Sequence, residues 1–169
     1  LGVGAIGAVF RAHHELLDKD VAIKVLLSAE GHAVERLLRE AKVASNTRHP
    51  NIALVTDAGK TPEGSPYVVM ELVAGETLEA VIDGKPLAPE RALDLTVEIL
   101  SGLEAVHRLG VVHRDLKPEN LMVVPREGGG EGIKILDFGM SKVSEVEHPD
   151  RQALTVTGAV GVLHLADLG

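Results

Sequence analysis

His113-Arg114-Asp115-Leu116-Lys117-Pro118-Glu119-Asn120 brings a carboxylate, two cations and an amide together within eight residues. That assortment suits the transfer of a phosphoryl group from a nucleotide to a hydroxyl, a reaction that needs positioning and charge neutralisation above all. Asp115 can orient a hydroxyl and accept its proton. Lys117, two residues on, can steady the transferring phosphate, and Asn120, five residues from Asp115, can bind a metal ion through its amide oxygen. His113 reads as structural, its ring packed in a core and bonded to a backbone group. Arg114 can neutralise a phosphate on a nearby loop. A polar loop after a helix is the plain alternative, and all eight residues together weigh against it.

Three other stretches supply the remaining parts of such a reaction. Asp137-Phe138-Gly139 follows the apolar run Ile133-Lys134-Ile135-Leu136, 22 residues beyond Asp115. There Asp137 is placed to hold Mg²⁺ bridging the phosphates, with Phe138 as a packing element. Val21-Ala22-Ile23-Lys24 is a short strand carrying one lysine. An ammonium on an apolar strand is costly unless it finds an anion. Lys24 therefore reads as an edge residue with a solvated tip, or as a phosphate ligand paired with Glu40, itself a solvated helix residue on the plainer reading. Gly2-x-Gly4-x-x-Gly7-x-Val9 opens the chain. Glycines let backbone N–H groups approach phosphate oxygens, although many such triplets are only turns. In a dinucleotide-binding fold a helix would follow. Here a turn and a second strand follow, which favours a hairpin lying over a nucleotide.

The rest of the pattern is that of strands followed by helices. Residues 1–27 read as strands, with a turn at Asp18-Lys19-Asp20, and 33–46 as a helix on the spacing of Val34, Leu37, Leu38, Ala41 and Ser45. His49-Pro50-Asn51 breaks the pattern. A hairpin is expected with strands near 52–58 and 66–72 around Thr61-Pro62-Glu63-Gly64, and Ala74-Gly75 reads as a linker. Pro89 suits the first turn of a helix whose Leu93, Val97, Leu100 and Leu103 form one apolar face, and Gly110 its stop. Leu121 to Val124 and Ile133 to Leu136 look like paired strands joined by a mobile, glycine-rich connector, Pro125 to Gly132.

Composition bounds the function classes. The chain has 169 residues, 45% of them hydrophobic, enough for one domain or two small lobes. Seventeen basic against 25 acidic residues give a net charge of -8, which argues against a nucleic-acid partner. It leaves a nucleotide ligand open, because local cations decide that. There is no cysteine, hence no disulfide and no thiolate chemistry. No apolar run reaches about 18 residues, so no membrane segment is expected in this chain, and a cytoplasmic location fits, with an anchor elsewhere in a full-length parent left open.

The glycine loop, the Val-Ala-Ile-Lys strand, the helix glutamate, the His-Arg-Asp loop and Asp-Phe-Gly stand in the order found in the protein kinase family, which the chain resembles over residues 1 to about 158. Leu116-Lys117-Pro118-Glu119-Asn120 resembles the serine/threonine branch. Val69-Met70-Glu71-Leu72-Val73-Ala74-Gly75-Glu76-Thr77-Leu78, with Arg39-Glu40-Ala41 and His49-Pro50-Asn51-Ile52, is similar to bacterial kinases of eukaryotic type. The resemblance implies an α+β, protein-kinase-like two-lobed fold. Its N-lobe, residues 1–72, would be an antiparallel sheet plus one helix. A hinge at 73–75 would lead to an incomplete helical C-lobe over 76–169. It implies an ATP-dependent serine/threonine protein kinase using Mg²⁺, with Asp115 and Lys117 catalytic and Asn120 and Asp137 on the metal. Gly2, Val3, Gly4, Gly7, Val9, Ala22, Lys24, Glu40, Met70, Glu71 and Val73 would bind ATP. Met70 would stand beside the adenine, Glu71 and Val73 would offer backbone bonds to its edge, and Val9 and Ala22 would cover its face. Thr155 and Thr157 resemble autophosphorylation sites, which also brings in a homodimer; the protein substrates stay unnamed.

Two departures qualify the resemblance. An Ala-Pro-Glu anchor should close the loop, yet no proline occurs after Pro149, and the pattern changes abruptly after Val160. Leu1 runs straight into a motif, which reads as a cut N-terminus, and the altered tail reads as a reading-frame slip or early stop. Helices expected to cover the 89–109 helix are unrecognisable, so poor folding, or nucleotide binding without efficient transfer, is expected. A nucleotide-holding pseudokinase or regulatory remnant is the first rival reading. A small-molecule kinase of the same fold is the second, disfavoured by Lys117-Pro118-Glu119 and the Thr-bearing loop.

Overall fold

The computed structural model describes residues 2–4, 7–26, 32–137, 156–158 and 161–165. Among these, the side chains of 2–4, 32, 33, 36, 37, 39, 40, 43, 156–158 and 161–165 lie outside the description. The chain divides into two compact units: residues 1–45, 55–72 and 142–169, and residues 46–54 and 73–141.

The first unit is built on one antiparallel sheet. Its strands are β1 (Gly2–Gly4), β2 (Gly7–His14), β3 (Lys19–Leu26), then, after helix α1 (His32–Ser45), β4 (Val55–Lys60) and β5 (Pro66–Glu71). The spatial order is β4-β5-β3-β2, with β1 on the free edge of β2 over Gly7–Val9. Alternation sorts the side chains, because opposite residues in an antiparallel pair share a face. Ala12, Val21, Ile23, Val25, Tyr67 and Val69 form a buried cluster on one face. α1 lies against β4 and β5. Among its described side chains, Val34, Ala41 and Ala44, spaced for one helical face, are buried. β2 and β3 are joined by a 3₁₀ turn, Glu15–Leu17, and by Asp18, whose φ of 46° lies in the left-handed region that aspartate tolerates.

The second unit contains β6 (Glu76–Thr77), α2 (Leu78–Ile82), α3 (Pro89–His107), β7 (Leu121–Pro125) and β8 (Glu131–Ile135). The three strands form one sheet in that order. Thr77 caps α2 by accepting a bond from the Ala80 N–H at 3.2 Å. α3 starts at Pro89 and ends at His107; the chain turns away at Gly110, whose φ is 75°, and the Val111 N–H turns back to the Val106 carbonyl at 3.2 Å. Leu95, Val106, Ile52, Leu78, Leu121, Val123, Ile133 and Ile135 form the core. Back in the first unit, two further strands, β9 (Val156–Gly158) and β10 (Gly161–Leu165), make a hairpin that extends its sheet by pairing with the outer part of β2, Leu163 opposite His14.

Most expected elements stand within a few residues of their predicted ends. The first strand of the 52–58/66–72 hairpin begins later, at Val55, because Ile52 bridges to Ile135 in the second unit and the Ala53 N–H bonds the Ile135 carbonyl at 3.0 Å. The apolar face read on α3 is bare at Leu93, Val97 and Leu100, which are 65%, 58% and 58% exposed. Such a stripe favours association. Replacing Leu93, Val97 and Leu100 together by serine should therefore change stability little, about 0.5 kcal/mol or less per position. It should slow aggregation on warming, as read by light scattering against the parent chain. No helix among the described residues is long and apolar enough to cross a membrane.

Candidate functional site

In the first unit several of the residues expected to bind the nucleotide gather on one sheet face. Val9 stands opposite Lys24, Ala22 opposite Met70, and Lys24 opposite Val68. Lys24 and Ala22 are two apart on β3, so Val9, Ala22, Lys24, Val68 and Met70 share the face opposite the buried cluster. Ala22 and Met70 are buried, while Val9 and Lys24 are half-buried. Gly2 pairs with Val9 and Gly4 with Gly7, forming the β1–β2 hairpin with Val3 opposite Ala8. A Cβ on Gly7 would collide with the Val25 carbonyl oxygen, so this glycine is demanded by the backbone of β3. Glu71 ends β5 opposite Val21. Glu40 lies on α1, but its side chain, and with it the expected Lys24 pair, falls outside the described residues.

The second unit assembles the opening octet. His113 is 2% exposed, and its Nε2 lies 2.7 Å from the Leu136 carbonyl oxygen, so it donates there. Its Nδ1 accepts the Asp115 N–H at 3.3 Å, which fixes the tautomer. His113 thus ties the loop before Asp115 to the residue before Asp137, in agreement with its structural reading. Residues 118–120 make a 3₁₀ turn, with the Asn120 N–H on the Lys117 carbonyl at 3.0 Å. That turn folds Asn120 back, and its Nδ2 donates to the Asp115 carbonyl at 2.8 Å and to Asp115 Oδ2 at 3.2 Å. Lys117 Nζ stands 3.6 Å from the same Oδ2. Both amide donors of Asn120 point to Asp115, which leaves its amide oxygen as the atom for a cation.

Asp137 is brought next to this group by the backbone: the Leu136 N–H bonds the Asn120 carbonyl at 2.8 Å. Arg114 and Asp137 hold φ of 65° and 56°. Left-handed backbone at a non-glycine residue costs on the order of 1 kcal/mol and tends to cluster at functional sites. Arg114 is exposed; Asp115 and Asp137 are half-buried. Val73, half-buried, follows β5 in sequence. Phe138 and Thr155 lie outside the described residues; Thr157 lies on β9 with its side chain outside them.

Sequence reasoning missed one group in this unit. Glu98, mid-helix in α3, receives Arg126 through its guanidinium and Asn51 through its amide. Burial alone would raise the Glu98 pKa; the bonds from Arg126 and Asn51 outweigh it and hold the carboxyl below its ordinary value. The same Asn51 amide donates to the Ile133 carbonyl at 3.0 Å, and the backbone carbonyl of Asn51 accepts the Ile135 N–H at 2.9 Å. A signal existed in the acid between Val97 and Ile99 and in the asparagine after His49-Pro50. A second ion pair, Arg91 Nε to Glu131 Oε2 at 2.8 Å, ties the start of α3 to the start of β8. The glycine-rich connector expected to be mobile is thus anchored at both ends by ion pairs to α3.

Comparison with known proteins bears on this arrangement. The family model described as protein kinase domain matches residues 1–160. The serine/threonine-protein kinase pkn3 of Myxococcus xanthus is 42% identical over 164 residues, covering 95% of this chain and 30% of that protein. The probable serine/threonine-protein kinase PknB of Lactococcus lactis is 37% identical over 168 residues, covering 96% of this chain and 26% of its own length. The chain therefore spans less than a third of these relatives. Among solved structures, Rad53 1-466 in complex with AMP-PNP matches with a TM-score of 0.71 and 28% identity, over 83% of this chain and 36% of that one. The α+β architecture is that of a two-lobed kinase-like fold, and the chain belongs to the protein kinase family, in its bacterial serine/threonine branch of eukaryotic type.

Proposed function

We propose that this chain binds ATP with Mg²⁺ and transfers the γ-phosphoryl group to serine or threonine hydroxyls of proteins, at a reduced rate. The observation that carries the reading is the Asn120 amide, tied through both its donors to Asp115 with the Asp137 backbone alongside. An amide oxygen and a carboxylate are hard donors, the set that suits Mg²⁺. When bound, that ion would neutralise charge on the phosphate oxygens.

The protein's own groups do the rest. Lys24, steadied by Glu40, engages the phosphates, and the N–H groups of the Gly2–Gly7 hairpin cover them. Val9 and Ala22 enclose the adenine with Met70 beside it, and the backbone of Glu71 and Val73 bonds its edge. Asp115 orients the acceptor hydroxyl and takes its proton as the new phosphorus–oxygen bond forms. The bond from the γ-phosphorus to the bridging oxygen breaks, and ADP leaves. Lys117 stabilises charge on the group in flight. Thr155 and Thr157 are acceptors in a second copy, with Arg114 pairing the modified residue. The bare stripe on α3 supports the reduced rate, because the helix that leads into the catalytic loop is uncovered at Leu93, Val97 and Leu100.

The test is incubation of the purified chain with γ-labelled ATP, Mg²⁺ and a generic basic protein, beside a Lys24→Met control. Label on the protein from the parent chain, lost on chelation and in the control, is the expected result. ATP bound without any transfer after long incubation would overturn the catalytic part and leave a nucleotide-holding remnant.

A further inference from the structure

We infer that Arg126, Glu98 and Asn51 form a positioning relay that sets β8, and through it the spacing between Asn120 and Asp137. The inference rests on reading Asn120 and Asp137 as the metal ligands. Its geometry lies within the second unit.

Glu98 is the centre of the relay. Its side chain is 21% exposed, yet it stays ionised because Arg126 and Asn51 both donate to Oε2. A carboxylate in that position fixes the Asn51 amide in one orientation, since only the NH₂ side can face it. Asn51 is 4% exposed and has no room to turn away. With the amide fixed, its NH₂ holds β8 at the Ile133 carbonyl at 3.0 Å, beside a main-chain bond from the Ile135 N–H to the Asn51 backbone carbonyl at 2.9 Å. The Ala53 N–H adds a third bond, to the Ile135 carbonyl at 3.0 Å. One residue past Ile135, Leu136 carries the Asn120 bond on its N–H and the His113 bond on its carbonyl. Asp137 is next. A shift of β8 along its axis would therefore change where Asp137 stands against Asn120. Arg126 adds a second handle: it lies just past β7, the strand that begins after Asn120, so the same carboxylate holds both strands that bear on the ligands.

This makes Glu98 a positioning residue, acting through Asn51, with no contact to the reacting atoms. Glu98→Ala should speed amide hydrogen exchange at Ile135 and Ala53 by about tenfold or more, the scale of losing charge-assisted bonds. It should raise by about fivefold the Mg²⁺ concentration needed for half-maximal binding of a non-hydrolysable ATP analogue, with analogue affinity in metal-free buffer unchanged. Glu98→Gln, which keeps one acceptor oxygen, should fall between. Arg126→Gln, at a half-exposed side chain, should move both readouts the same way by less.

Unchanged exchange and unchanged metal requirement in a folded Glu98→Ala chain would overturn the relay. Should that variant not fold, Arg126→Gln decides by the same two readouts. A parent chain that binds no analogue at any Mg²⁺ concentration refutes the functional reading instead, and the exchange rates at Ile135 then still decide whether the relay exists.

Discussion

Asp115→Asn is expected to lower phosphoryl transfer at least about a hundredfold while leaving affinity for an ATP analogue within about twofold. A hundredfold corresponds to about 2.7 kcal/mol of barrier. The substitution is nearly isosteric, and its surroundings can tolerate it. Asp115 Oδ2 accepts Asn120 Nδ2 at 3.2 Å and lies 3.6 Å from Lys117 Nζ, and an amide oxygen can serve both. The backbone bond from Asn120 Nδ2 to the Asp115 carbonyl does not depend on the side chain. What disappears is the negative charge beside Lys117 and the basic oxygen proposed to take the hydroxyl proton. Single-turnover transfer measured beside equilibrium analogue binding separates the two effects. A variant retaining most of its transfer would remove Asp115 from the proton-accepting role.

The Asp115–Asn120 pair was legible from sequence because residue types carried it: a carboxylate, a lysine and an amide in one octet mean little else. The turn that folds Asn120 back onto Asp115 was not derivable from the five-residue spacing; it depends on a 3₁₀ turn that starts at Pro118. Lys24, Ala22, Val9 and Met70 were legible as sheet residues, and their common face follows from strand register alone. The limit came where one polar residue works across distant elements. Asn51 looked like a pattern breaker, and its grip on Ile133 spans 82 residues. Gly75 reads as a linker residue on composition; that a Cβ there would collide with the Val123 carbonyl oxygen, so that close approach to β7 also demands a glycine, was not legible. The α3 pattern contains two apolar stripes, and periodicity cannot say which one is covered: Leu95, Gly102 and Val106 are, and Leu93, Val97 and Leu100 are not.

Ile135→Ala should cost the second unit about 2–5 kcal/mol, the range for large-to-small changes in a close-packed core. Ile135 is fully buried, and it sits where β8, α3 and the 46–54 segment meet. Its backbone bonds to Asn51 and Ala53 survive the change, so the loss is packing and cavity. Ile135→Val, removing one methyl, should cost about 0.5–1.5 kcal/mol by the same measurement of denaturant midpoints. The site can be tested further through Gly102, where an added Cβ would meet Ile135 Cδ1 at 2.8 Å and the Asn51 carbonyl oxygen at 3.1 Å. Gly102→Ala alone should therefore destabilise, overpacking costing about 1–3 kcal/mol against a helix-propensity gain of about 1 kcal/mol. In the Ile135→Ala background the Cδ1 contact is gone and the new methyl enters the vacated space. Gly102→Ala should then be neutral or stabilising, a change of sign in a double-mutant cycle. Equal effects of Gly102→Ala in both backgrounds would mean that Ile135 does not pack on α3 at this point, and the core would need another arrangement.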